Sequence, residues 1–188
     1  MKKINKGEFG YIKNRQILTI LRTVFLFAMA VGIYVLGYVN TGSNKNLLTI
    51  VAILGMLPAS KSCVNMIMFL RFKSLSPDLY ESFTEVNAPF IYENVLTTTE
   101  KSYFLPAILY KNHTIVSYCE NKNNDAQSIV EKHIKETMKI EKIDVTVKVF
   151  KDKEQFLERA GSLNSSMNDE EDMKVMEIVY STLKAVSL

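Results

Sequence analysis

The run ILGMLPASKSCVNMIMFL, residues 53–70, sets Pro58, Lys61 and Asn65 among neighbours that are mostly apolar. Lys61 and Asn65 stand four residues apart and share a face if the run is helical. Gly55 and Ala59 are also four apart, a small-xxx-small pair that lets a second helix pack closely. Pro58 has no N–H to give the Leu54 carbonyl one turn earlier. An ammonium, a carboxamide and a freed carbonyl have the chemistry to hold an anionic lipid headgroup. A lysine at a bilayer centre costs about 2.5–3.5 kcal/mol on insertion scales, so its place needs a reason. Counted from Leu47 at about 1.5 Å per residue, Lys61 lies about 21 Å into a core of ~30 Å. It is past the centre, and the plainer reading is a lysine that reaches the nearer headgroups beside a proline kink.

Other residues invite a catalytic reading. Glu120-Asn121-Lys122 closes a strand-like run with a Glu-x-Lys triplet, and Glu100 precedes an earlier run. With the order helix, three strands, helix, strand, this is similar to the core of restriction-endonuclease-like nucleases. Asp172-Met173-Lys174 has the same form, so the triplet alone carries little weight. Asp169-Glu170-Glu171-Asp172 has carboxylates for a metal. Four adjacent positions suit the negative first turn of a helix better, with Ser166 or Asn168 as cap. His113 and His133 lack Cys or His partners at ligand spacing, so no metal and no cofactor is expected. G-x-S-x-G, P-loop and dinucleotide-binding glycine motifs are absent. Cys63 and Cys119 read as small buried hydrophobes rather than a disulfide framework.

The elements that must position these residues follow from charge and hydropathy. Residues 1–75 hold ten Lys and Arg against one acid, Glu8; the other 113 residues hold 13 basic and 19 acidic groups. A basic anchor joined to an acidic domain fits that division, and the acidic half argues against nucleic acid as partner. Two apolar runs, 17–39 and 47–70, flank the polar turn NTGSNKN and predict a helical hairpin over 16–72. Six Lys and Arg precede residue 23, one lies in the turn, and Arg71 and Lys73 follow. The positive-inside rule then places a basic tail (1–15) and a soluble domain (76–188) both in the cytoplasm.

In the soluble part, Ser76-Pro77 starts a short helix. Phe90–Thr98, Ser102–Lys111 and Thr114–Glu120 read as strands, the last two joined by a tight Asn112-His113 turn. Pro106 predicts an edge strand or a bulge. A helix over 125–140 carries the stripe Ile129, Val130, Ile134 and Met138. Strand IDVTVKVF follows with Ile143, Val145, Val147 and Val149 on one face. KEQFLERAG predicts a helix ending at Gly161, and DEEDMKVMEIVYSTLKAV a terminal one. The expectation is an α+β domain, mainly antiparallel, with helices on one side of the sheet.

The segments KKINKGEFGYI, NLLTIVAILGMLPASK and VNMIMFL resemble a family of small two-span membrane proteins of Firmicutes bacteria. The resemblance is strongest over residues 1–72 and implies no established activity. Some members are labelled O-GlcNAc transferase-like, but this chain lacks the 34-residue helical repeat such enzymes carry. The sequence therefore points to a multi-pass protein of the bacterial cytoplasmic membrane, in contact with the lipid bilayer, with an anionic lipid at Lys61. Its domain would bind or regulate a membrane protein or a second copy of itself. The alternative is a tethered enzyme, a degenerate nuclease-like hydrolase or an envelope-precursor transferase, using Glu100, Glu120 and Lys122.

Overall fold

The computed structural model describes residues 4–98, 101–120, 125–165 and 170–188. The chain divides into two compact units, one made of residues 12–73 and one of residues 1–11 with 74–188. The first is a hairpin of α1 (Tyr11–Thr41) and α2 (Leu47–Leu70). At about 1.5 Å per residue these are about 46 and 36 Å long. Both are long and apolar enough to cross a membrane, and only 11% and 17% of their most apolar stretches are buried. α1 starts six residues before the expected Ile17, because YIKNRQ contains good helix formers and nothing that breaks a helix. α2 has the expected bounds. Asn46 caps it by accepting from the Thr49 N–H, and the helix runs unbroken through Pro58.

The second unit holds α3 (Pro77–Thr84), β1 (Ile91–Thr97), β2 (Ser102–Lys111), β3 (Thr114–Tyr118), α4 (Ala126–Ile140), β4 (Thr146–Phe150), α5 (Lys153–Asn164) and α6 (Glu170–Val186). The strands lie in the order β1-β2-β3-β4. The first three pair antiparallel, with Asn112 and His113 both at positive φ in the two-residue turn between β2 and β3. β4 pairs parallel to β3, because α4 carries the chain back across one face between them.

Helices cover both faces of the sheet, which corrects the expectation of one. On one face Val130, Ile134 and Met138 of α4 and Val179 and Leu183 of α6 pack on Tyr103, Leu105, Ile108, Tyr110 and Ile115. On the other, Phe83 of α3 and Phe156, Ala160 and Leu163 of α5 pack on Ala107, Leu109, Val116, Tyr118 and Phe150. Phe156 is the centre of this second core, with ring centroids of Phe83, Phe90, Tyr118 and Phe150 at 5.6–6.4 Å. α5 also continues through Gly161 to Asn164 instead of ending at the glycine.

Pro106 lies in an inner strand, not an edge strand, and no residue is inserted around it: Tyr92 pairs with Ala107 and Asn94 with Leu105. What changes is the facing. Leu105 and Ile108 share one core although they are three apart, and so do Ile91 and Leu96, five apart. Alternation along a strand forbids both unless the strand turns over once. It does so at Glu93, whose φ is +52°, opposite the proline that has no N–H to pair. Both strands flip at the same level, so their register survives.

Candidate functional site

In the hairpin, four contacts fix how the helices face each other. Gln16 Nε2 donates to the Phe69 carbonyl at 2.9 Å, and the Thr23 and Ser62 hydroxyls are hydrogen-bonded at 2.8 Å. A methyl on Gly55 would lie 3.7 Å from the Ala30 Cβ, and one on Gly37 only 2.8 Å from the Leu48 Cβ. On each helix these positions are seven residues apart: 16, 23, 30, 37 and 48, 55, 62, 69. This is the heptad of an antiparallel coiled pair, with small residues where the backbones come closest. Ala59 and Ala30 are completely covered, and Ala52 nearly so.

The five hairpin residues singled out by sequence divide between two surfaces. Gly55 and Ala59 belong to the seam. Pro58, Lys61 and Asn65 are exposed on the flank of α2 beside that seam. Neither the Lys61 nor the Asn65 side chain has a hydrogen bond or ion pair with a described residue. Sequence reasoning missed the α1 half of the seam (Thr23, Ala30, Gly37), although its spacing of sevens was there to be read.

In the domain, two neighbouring residues hold the chain on either side of the hairpin. The Tyr92 N–H donates to the Gly7 carbonyl at 2.8 Å, just before α1 begins. The Glu93 carboxylate, 2% exposed, accepts from the Leu75 N–H at 2.8 Å and from the Ser74 hydroxyl, just after α2 ends. Two hydrogen bonds to a buried carboxylate are of the strong, charge-assisted kind. The left-handed turn at Glu93 aims that carboxylate at residues 74–75.

The first strap is built to fit as well. Gly7 has φ +91°, and a methyl there would strike the Lys184 Cε at 2.6 Å. Phe9 stacks on Tyr80 at 4.2 Å, and Tyr80 meets Tyr92 edge-on at 5.1 Å. Lys6 Nζ donates to the Ser187 carbonyl, and the Leu188 N–H donates to the Val95 carbonyl at 3.0 Å. β1, one of the two edge strands of the sheet, is thereby covered by both terminal segments.

A cluster of tyrosines stands behind this edge. Tyr180 donates from its hydroxyl to the Pro89 carbonyl and accepts from the Tyr110 N–H at 3.2 Å. Burial, and after it the Asp172 carboxylate, push the Tyr110 hydroxyl up to about 12. Burial also holds Tyr180 and Tyr92 above the ordinary tyrosine range, as it does Tyr118 on the opposite face.

Of the catalytic candidates, only Glu120 lies among the described residues. Glu120 is exposed beyond the end of β3, while Glu100 and Lys122 lie outside the described residues. Asp172 Oδ2 accepts from the Asn112 N–H at 3.1 Å, a structural bond; Asp169 and the caps Ser166 and Asn168 also lie outside. Among the described residues no three His, Cys, Asp or Glu side chains group as metal ligands. The surface groove between β4 and α5, about 420 Å³, is lined by Lys148, Phe150, Gln155, Glu158, Arg159 and Ser162. In it the Lys148 ammonium lies 5.3 Å from the Phe150 ring centre. No protein-family model, curated protein or solved structure matches the chain.

Proposed function

We propose that this chain is a multi-pass protein of the bacterial cytoplasmic membrane whose hairpin anchors a cytoplasmic domain that binds and regulates a partner at the membrane face. The observation that carries this reading is the double strap at Tyr92 and Glu93. Adjacent residues of one strand hold the chain immediately before and immediately after two long apolar helices. Both segments that flank the hairpin in sequence are thereby built into the domain's own compact unit.

Bilayer residence is supported by the outward faces of the helices. Phe25, Val39, Leu47 and Leu57 are each 66–75% exposed, a continuous apolar surface that water would not tolerate on a monomer. The cytoplasmic placement rests on Lys and Arg counts at the hairpin ends. The partner in this reading is a membrane protein or a second copy, with an anionic lipid at Lys61.

A reporter fused after Leu188 should be active only on the cytoplasmic side; activity only outside would refute the orientation. Divalent-metal binding by the full chain, lost on Glu100→Gln and Glu120→Gln substitution, would replace the regulatory reading with the tethered hydrolase. Cross-linking in native membranes should yield one fixed partner or a homodimer, with the Glu93→Gln variant altering the yield.

A further inference from the structure

The heptad seam fixes depth as well as facing. Its paired positions place each residue of α1 level with a definite residue of α2: Gln16 with Phe69, Thr23 with Ser62, Ala30 with Gly55, Gly37 with Leu48. Lys61 is then level with Val24, two residues, or about 3 Å of rise, from Arg22. Arg22 is the charged residue of the first apolar stretch, as Lys61 is of the second. The two cations of the apolar region therefore sit in one layer.

They also sit on one flank. Arg22 directly precedes the seam residue Thr23. On α2, Pro58 precedes Ala59, Lys61 precedes Ser62, and Asn65 precedes Met66, which continues the seam spacing. In an antiparallel pair, positions that precede the seam on one helix face those that precede it on the other. Arg22, Lys61 and Asn65 are all exposed. None has a side-chain hydrogen bond or ion pair with a described residue. Leu18, Leu21, Phe25, Leu57 and Val64, all exposed and apolar, lie around this layer.

We propose that Arg22, Lys61 and Asn65 form one binding site for the phosphate of a net-negative phospholipid, on the leaflet that faces the domain. The inference rests on the bilayer reading above. It widens the Lys61 reading from a single lysine to a three-residue site spanning both helices. The guanidinium gives a planar pair of donors for phosphate oxygens, the ammonium gives a point charge, and the carboxamide adds a neutral donor. A phospholipid phosphate suits the place better than an acidic helix of another protein. The layer lies on the basic-flanked half of the hairpin, where long side chains and headgroups meet. The zwitterionic choline headgroup brings its own cation and competes poorly for the same donors.

The full chain is reconstituted in bilayers of equal phosphatidylglycerol and phosphatidylcholine and extracted in mild detergent, and the retained lipids are counted by native mass spectrometry. Wild type should retain phosphatidylglycerol at least tenfold over phosphatidylcholine. Arg22→Gln and Lys61→Gln should each reduce that preference several-fold, and together abolish it. Arg22→Lys should keep most of it, and Lys45→Gln in the turn should leave it unchanged. Equal retention of the two lipids by wild type, or an undiminished preference in the double variant, would overturn the site. Displacement of phosphatidylglycerol by millimolar inorganic phosphate would overturn the lipid source in favour of a free ion. Loss of a co-purifying acidic membrane protein in the double variant, with lipid retention unaltered, would overturn it in favour of a helix partner. Flotation separates the two proposals. Wild type that floats with vesicles but shows no lipid preference refutes only this site, whereas wild type that fails to float refutes membrane residence.

Discussion

Three glycines in the hairpin should respond to the same substitution in three different ways. A methyl at Gly32 meets nothing within 4 Å; at Gly55 it makes ordinary contact with Ala30 at 3.7 Å. At Gly37 it would lie 2.8 Å from both the Leu48 Cβ and Asn46 Oδ1, closer than real contacts allow. Asn46 is not free to yield. Its Oδ1 accepts from the Thr49 N–H at 2.8 Å, and its Nδ2 donates to the Ser43 carbonyl at 2.7 Å and to Thr41 Oγ1 at 2.9 Å. Displacing it removes the α2 cap, about 1 kcal/mol. Forcing the helices apart against Leu48 costs about 1–3 kcal/mol more. Against both stands the gain in helix propensity of alanine over glycine, about 1 kcal/mol. Gly37→Ala should therefore weaken the hairpin by about 2 kcal/mol, while Gly32→Ala and Gly55→Ala leave it equal or up to about 1 kcal/mol stronger. The assay is reversible unfolding of the full chain in mixed micelles, following helicity by circular dichroism as denaturing detergent is raised. A Gly37→Ala midpoint equal to that of Gly32→Ala would refute the seam.

Glu93→Gln keeps an acceptor but loses its charge, so the domain should lose about 1–2 kcal/mol. Glu93→Ala should lose more and leave the buried Leu75 amide without its partner, seen as faster hydrogen exchange there; unchanged protection would rule out the strap. Asn94 is 1% exposed and both polar atoms of its carboxamide lack a partner among the described residues. Asn94→Leu should raise the denaturant midpoint by about 1–3 kcal/mol of stability, and a fall would mean the amide is satisfied. The raised tyrosines set a pH limit. Tyr92, Tyr110, Tyr118 and Tyr180 keep their protons when folded to higher pH than the ordinary value of 10.0 in the unfolded chain. The unfolded state then binds fewer protons, so stability holds below pH 10 and falls as pH climbs toward 12. Tyr110→Phe should shallow that decline, and a denaturant midpoint constant from pH 9 to 11.5 would contradict it.

Much of this architecture is written locally. Asn46 before LLTIV and the polar turn before it define α2; Ser76-Pro77 defines the start of α3; Asn112-His113 takes the two positive φ values its strands require. The rest depends on partners distant in sequence. Nothing in FIYENVLTT marks Glu93 as a buried carboxylate in a left-handed turn, because Pro106 and residues 74–75 create that place. The two-sided sheet had a visible sign: YFLPAILY in β2 is continuously apolar, as a strand covered on both faces must be. A helix between β3 and β4 likewise implies their parallel pairing. In the site, Lys61 announced itself as a charge in an apolar run. Arg22 stands beside it only once the spacing of sevens is read on both helices together. Glu100 and Lys122 lie outside the described residues, and Glu120 is an exposed carboxylate just past β3.

The straps at Tyr92 and Glu93 also impose an order of assembly. Gly7 is synthesised 85 residues before the N–H it accepts from, and Lys6 long before the Ser187 carbonyl. A free chain closing such loops would lose entropy that grows with their length and would fold slowly. The hairpin shortens both distances in advance. Once α1 and α2 are paired, Gln16 holds the Phe69 and Phe72 carbonyls at 2.9 and 2.7 Å, so the two ends of the hairpin already lie side by side. The loop from Gly7 to Tyr92 then behaves as one of roughly thirty residues rather than eighty-five. Helix pairing thus becomes a step that precedes sheet completion, and the N-terminal segment waits as the last strap to close.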